Sequence, residues 1–283
     1  MSHNVSKPGP VRRSERLPLI TKMLLDAPGQ VISLTELASR FGVAKSTISE
    51  DLAIIRDALK SEPIGELESI IGAAGGVRYT PRYSNRAIRE TVAELCEALS
   101  DPQRILPGGF LYMSDLIASP RMMSRVGEIF ASVLTQESRP EAVVTVETRG
   151  IPIALMTARA LDVPLIIVRR AGRVTDGTVV SMNYVSGSRR IETMSLSRRA
   201  LPQGATVLLI DDFMKAGGSA RGLVDLMAEF EARVLGIGVM VATAKPEEKL
   251  VDDYVSLAVL EEVDEVNRVV RVRPDDWVER LVP

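Results

Sequence analysis

Residues 207–219 read VLLIDDFMKAGGS, and this stretch decides the fold of most of the chain. Four apolar residues, Val207 to Ile210, run into two carboxylates, Asp211 and Asp212. The small residues Ala216, Gly217, Gly218 and Ser219 follow and lead into the helical pattern LVDLMAEF. This is the order of a buried parallel strand, an acidic pair at its carboxyl end, and a short loop opening a helix. Free N–H groups at such a helix start hold an anion, while paired carboxylates take hydroxyls or a hydrated cation. A sugar phosphate offers both kinds of group.

Moving outward, EAVVTV (141–146), VPLIIVRR (163–170) and VLGIGVMVATA (234–244) read as further strands, and IPIALMTARALD (151–162) reads as a helix. Alternating strands and helices imply a parallel sheet with ligands at the carboxyl ends of its strands. VVTV runs into Glu147-Thr148-Arg149-Gly150 before a helix, and an arginine beside a glycine at a helix start suits a polyanion. Residues 181–199 read as two strands around Gly187-Ser188-Arg189-Arg190, which puts Arg189 and Arg190 at a hairpin tip. Before this region, residues 87–99 form a helical pattern, and a Pro-Gly-Gly break at 107–109 precedes more helix to about residue 135.

The first eighty residues have a different character. SERLPLITKMLLD (14–26) is an amphipathic helix interrupted by Pro18, ending at the turn Ala27-Pro28-Gly29. SLTELASRFGV and AKSTISEDLAIIRDAL are two helices joined near Gly42. Ala38, Gly42 and Ile48 match a helix-turn-helix: a small residue for close approach, a glycine for the turn, an apolar anchor for the second helix. That helix carries Lys45, Ser46, Thr47 and Ser49 at its start, short polar groups able to reach phosphates and base edges. Ile48, Leu52, Ile55 and Leu59 form its core stripe. GELESIIGAAGGVRYTPR (65–82) reads as a β-hairpin turning at Gly72 to Gly76. Helices followed by such a hairpin resemble a winged-helix DNA-binding domain, with a wing near residues 65–80 and Arg78 as a candidate DNA-backbone contact. The polar junction at 80–86, containing Pro81, divides the chain into residues 1–82, with 1–10 a flexible tail, and 83–283.

Composition bounds the chemistry. The 283 residues are 46% hydrophobic and carry a net charge of −2, enough for two domains with sizeable cores. Charge is uneven: residues 1–60 hold nine Lys/Arg against six acids, and residues 169–199 hold seven Arg against two, which suggests two anion-binding surfaces. The single histidine, His3, excludes histidine-based triads, and the single cysteine, Cys96, sits on a helical apolar stripe as a small core residue. No apolar run reaches the length of a membrane span and no signal peptide opens the chain, so a cytoplasmic protein with no membrane partner is expected.

The 207–219 segment resembles the 5-phosphoribosyl-1-pyrophosphate (PRPP) motif of phosphoribosyltransferases. The resemblance gives Asp211 and Asp212 the ribose hydroxyls, and Lys215, Ala216, Gly217, Gly218, Ser219 and Ala220 the 5-phosphate. Lys215 departs from the small or hydroxyl residue common there. Thr148, Arg149 and Gly150 inherit the pyrophosphate, and the 187–190 segment resembles the loop that closes over PRPP in the enzymes, which makes Arg189 and Arg190 candidates to cap a ligand. With the winged helix in front, the chain resembles the purine operon repressors of the Gram-positive, Bacillus type. GGFLYMSDL, VETRGIP, NYVSGS and IDDFMKAGGSARG carry that resemblance in order.

It implies an α/β fold: an N-terminal winged-helix domain and a C-terminal type I phosphoribosyltransferase-like domain with a parallel-sheet core. It further implies a homodimeric repressor of purine synthesis and transport genes that leaves operator DNA when PRPP binds, with guanosine tetraphosphate competing for the pocket. Tyr112 is then a candidate purine-ring contact, or else a core or interface tyrosine. No catalytic residue, metal ligand or required cofactor is assigned. Mg²⁺ is a common companion of PRPP, although arginines alone can hold this polyanion. The other readings are an active purine phosphoribosyltransferase with an autoregulatory DNA-binding domain, and a winged helix used only for dimerisation.

Overall fold

The computed structural model describes residues 11–61, 65–72, 75–135, 138–170, 177–185 and 190–282. The expected tail (1–10), with His3, lies outside them, as do residues 73–74 of the wing turn. The chain separates into two compact units, residues 1–83 and 84–283.

The first unit begins with helix α1 (Arg13–Asp26), which runs through Pro18 as one element. Pro18 lies past the first turn and forgoes one backbone hydrogen bond, yet the helix continues across it, so the expected interruption does not occur. Strand β1 (Val31–Ser33) leads into α2 (Leu34–Phe41), whose N-cap Ser33 accepts a hydrogen bond from Glu36 N at 3.0 Å. Ser33 and Glu36 stand at the positions of a capping box. Gly42 ends α2 with φ +65°, a left-handed conformation that glycine adopts without penalty, and its N–H donates to Ala38 O. Helix α3 (Lys45–Ser61) follows, then β2 (Gly65–Ile70) and β3 (Gly76–Pro81).

The strands form an antiparallel sheet in the order β1-β3-β2, and β1 is a strand the sequence reading lacked. The core joins Ile20 and Leu24 of α1, Leu37 and Phe41 of α2, and the α3 stripe Ile48, Leu52, Ile55 and Leu59. A buried ion pair crosses this unit. Asp51, fully buried on α3, accepts from Arg16 Nε at 2.5 Å and from Arg13 Nε at 2.9 Å, and Arg16 is itself buried.

The second unit opens with α4 (Asn85–Leu99), a short hairpin β4 (Ile105–Leu106) and β5 (Phe110–Leu111), and helices α5 (Ser114–Ile117) and α6 (Pro120–Leu134). Cys96 is buried on α4, and burial pushes its thiol pKa up to about 12, as expected of a structural cysteine. Then come β6 (Ala142–Val146), α7 (Ile151–Leu161), β7 (Leu165–Val168) and the antiparallel hairpin β8 (Val179–Val185) and β9 (Ile191–Ser197). The chain finishes with β10 (Thr206–Met214), α8 (Gly218–Ala228), β11 (Arg233–Thr243), β12 (Val255–Asp264), β13 (Val269–Pro274) and α9 (Asp276–Glu279).

The six-stranded sheet has the order β13-β12-β11-β10-β6-β7, all neighbours parallel except the edge pair β12–β13. β10 is apolar on both faces because both are covered. Val207 and Leu209 belong to a core with Leu223, Leu226 and Met227 of α8, while Leu208 and Ile210 meet Leu134 and Phe130 of α6 beside Gly236 and Gly238.

β10 does not end at the acidic pair, as the reading VLLIDD predicts, but runs on through Phe213 and Met214. It pairs with β6 over Val207–Leu209 but stays paired with β11 as far as Met214. The acidic pair therefore stands on a strand that overhangs its β6 neighbour. The order reverses at the β6/β10 boundary, where a doubly wound sheet opens its ligand crevice.

Candidate functional site

The turn after β6 and the overhang of β10 meet at this boundary. Arg149 Nε lies 3.1 Å from Asp212 Oδ2. Gly150 packs so closely that a Cβ there would stand 2.4 Å from Thr145 Oγ1 and 2.8 Å from Asp211 Oδ1. Two segments some sixty residues apart are thus brought together as a single cradle. Thr148 and Arg149 are exposed above it, Gly150 is buried, and the Glu147–Thr148 peptide is cis.

The acidic pair is electrostatically unsettled. Asp212 is 6% exposed, while Asp211 keeps partial solvent contact but is crowded by protein atoms. Burial raises the pKa of Asp211 well above the usual carboxylate range, and the neighbouring Asp212 charge adds to it. Burial also raises Asp212, with the Arg149 charge opposing. Asp212 N donates to Asp211 Oδ1 at 2.9 Å, yet Asp212 Oδ2 is buried without a hydrogen bond, since Arg149 approaches it outside hydrogen-bond alignment. A buried carboxylate oxygen lacking a donor costs free energy until something donates to it.

The loop 215–217 leads from this pair into α8. Gly217 caps the helix with φ +83°, and its carbonyl accepts Arg221 N, so the amides of Gly218, Ser219 and Ala220 precede the helix's own hydrogen bonds. Lys215 is exposed, Ala216 and Ser219 are partly buried, and Gly217, Gly218 and Ala220 are buried. The arrangement can accept hydroxyl hydrogens at the carboxylates and hold an anion at the helix start. Among the described residues no group of three or more His, Cys, Asp or Glu side chains is placed to cage a metal ion.

The β8–β9 hairpin adds a network absent from the sequence reading. Glu192 Oε2 accepts from Arg170 Nη1 at 2.8 Å and from Tyr184 Oη at 2.9 Å, while Arg170 N donates to Glu147 Oε1 at 2.6 Å. Burial and the Glu192 hydrogen bond raise the Tyr184 pKa. Arg190 is exposed at the start of β9, and Arg189 lies outside the described residues with Gly187 and Ser188. Tyr112 is 44% exposed, which removes it from the core. Its N–H donates to Arg104 O at 2.8 Å and its carbonyl accepts from Arg104 Nη1 at 3.0 Å.

In the first unit, Lys45, Ser46 and Ser49 are exposed at the start of α3 and Thr47 is partly so. Ser49 Oγ donates to Lys45 O at 3.0 Å. Arg78 pairs with Glu68 across the wing at 3.0 Å. An exposed pair of this kind is worth at most about 1 kcal/mol, so exchanging the carboxylate for a phosphate is inexpensive.

Residues 12–81 match the N-terminal domain of bacterial purine repressors, and residues 113–277 match the phosphoribosyl transferase domain. Adenine phosphoribosyltransferase from Saccharomyces cerevisiae superposes with a TM-score of 0.52 at 22% identity, covering 59% of this chain and 98% of that one, a likeness of fold. Fold and site thus define a winged-helix regulator of transcription built onto a phosphoribosyltransferase-type domain.

The chain is 46% identical to the purine biosynthesis transcriptional repressor PurR of Bacillus subtilis over 268 residues, 94% of each. It is 40% identical to the purine biosynthesis transcriptional activator PurR of Lactococcus lactis subsp. lactis, over 93% of this chain and 97% of the relative. The chain belongs to the PurR family of purine-biosynthesis transcriptional regulators. A xanthine phosphoribosyltransferase of Lactococcus lactis subsp. cremoris is 32% identical, over 55% of this chain and 82% of that enzyme.

Proposed function

We propose that this protein represses purine synthesis and transport genes in the cytoplasm. It binds operator DNA as a homodimer through the start of α3 and the wing, and PRPP in the 148–150 and 211–220 cradle releases it. The observation that carries the ligand reading is the buried Asp212 Oδ2, ion-paired with Arg149 but without a hydrogen bond, beside a helix start suited to an anion. A ribose with two neighbouring hydroxyls supplies the donors, its 5-phosphate takes the α8 amides, and its pyrophosphate meets Arg149. Guanosine tetraphosphate, a polyphosphate of similar charge, competes for the same cradle. Mg²⁺, where present, travels on the ligand's own phosphates. Repression rather than activation follows the 46% identical relative.

An effector shifts DNA binding only through unequal affinity for the two states, and such coupling is typically about 1–3 kcal/mol. The test is a gel shift with operator DNA, with and without PRPP, on wild type and Asp211→Ala/Asp212→Ala. The double variant should bind DNA but resist release; release at the wild-type PRPP concentration would overturn the assignment. The xanthine phosphoribosyltransferase likeness favours a second reading, an active purine transferase. Product formation from PRPP, Mg²⁺ and a nucleobase would establish it, and absence of turnover is expected.

A further inference from the structure

We propose that Lys249 is the positioning residue of the phosphate loop, holding the Lys215 carbonyl so that the following amides face the ligand. The proposal rests on reading the 215–220 loop as the seat of the sugar 5-phosphate.

Lys249 Nζ donates to Lys215 O at 2.7 Å, Thr243 O at 2.7 Å and Pro246 O at 2.6 Å. An ammonium has three donors, and three carbonyls occupy them, so Lys249 shapes the loop instead of touching the ligand. Thr243 Oγ1 stands 3.1 Å from the same Lys215 oxygen but nearer, at 2.7 Å, to Lys245 O, and Leu250 N donates to Ala216 O at 2.9 Å. Two successive loop carbonyls are therefore turned toward the 243–250 segment.

A trans peptide is planar, with its C=O and N–H on opposite sides. Fixing the carbonyls of residues 215 and 216 thus fixes the amides of residues 216 and 217 on the side away from that segment. Among the described residues no carboxylate pairs with Lys249, and its partial burial lowers its pKa. Burial thus disfavours the ammonium, and a dianionic phosphate in front of the loop would draw it back to the charged form.

The full chain should be titrated calorimetrically with ribose 5-phosphate and, separately, with inorganic pyrophosphate, for wild type, Lys249→Met and Lys249→Arg. Lys249→Met should weaken ribose 5-phosphate about tenfold, because the loop amides lose their fixed orientation, and leave pyrophosphate unchanged. Lys249→Arg should recover most of the loss. If Lys249→Met does not fold by urea melt, Lys249→Gln, which keeps a polar head but loses the charge and the reach to the Lys215 carbonyl, should show the same selective loss. Wild-type affinity for ribose 5-phosphate in the folded Met variant, or equal loss of both ligands, would overturn the proposal. Wild type binding pyrophosphate but not ribose 5-phosphate would instead overturn the reading of the loop itself, and this proposal with it.

Discussion

Gly150→Ala isolates the cradle's geometry from its backbone. Gly150 has φ −67° and ψ −20°, a conformation open to any residue, so alanine introduces no torsional strain. Its Cβ, however, would stand 2.4 Å from Thr145 Oγ1 and 2.8 Å from Asp211 Oδ1, where ordinary contact begins at 3.4 Å. Thr145 is fully buried, so the shortfall of 1.0 Å falls on packed neighbours, and that of 0.6 Å falls on the Asp211 carboxylate. Overpacking of this kind costs about 1–3 kcal/mol. A displaced charged acceptor loses about 1.5–3 kcal/mol of hydrogen bonding, roughly a tenfold to hundredfold loss of PRPP affinity.

Urea unfolding measures the first quantity and calorimetric titration with PRPP the second. Thr145→Ala combined with Gly150→Ala removes the larger overlap but leaves the one at Asp211. The double variant should regain stability without regaining affinity. If Gly150→Ala is within about 0.5 kcal/mol of wild type in stability and binds PRPP normally, the two turns do not form one cradle.

The pKa of Asp211 is raised on folding, so the folded state holds its proton to higher pH than the unfolded state, and stability falls as pH rises from the ordinary carboxylate range toward the raised value. Asp211→Asn should therefore stabilise the unliganded protein increasingly with pH while abolishing PRPP release; urea melts showing a pH-independent loss would refute this. Asp51→Ala strands the buried Arg16 cation and should cost about 3–5 kcal/mol, whereas Arg16→Met/Asp51→Leu should recover most of it in the same unfolding assay. Lys45→Ala should lower the slope of log affinity for operator against log salt by about 1 with unchanged sequence preference, checked by fluorescence anisotropy across salt concentrations.

Sequence periodicity reveals what is local. The apolar run 207–210, the glycine-ended loop and the α3 stripe each carry their own signal, and the two cradle turns are legible because each follows a strand. Three features lie outside that logic. Strand β1 has only three residues, too few to show alternation, and forms because β3 offers Val77 and Arg78 as partners. β10 continues past Asp212 through Phe213 and Met214 because β11 keeps pairing with it. The Arg16–Asp51 pair and the Lys249 anchor join residues remote in sequence, and charged side chains at such positions read as solvated until the fold places their partners.

The two faces of α3 have separate duties. Its inward side, Ile48, Asp51, Leu52, Ile55 and Leu59, is committed to the core and to the arginines of α1, while Lys45, Ser46 and Ser49 are solvent-facing. Substitutions at exposed sites away from caps and ion pairs usually change stability by no more than about 0.5 kcal/mol. The exposed start of α3 can consequently drift, or be rewritten by design, while the frame that carries it keeps its stability.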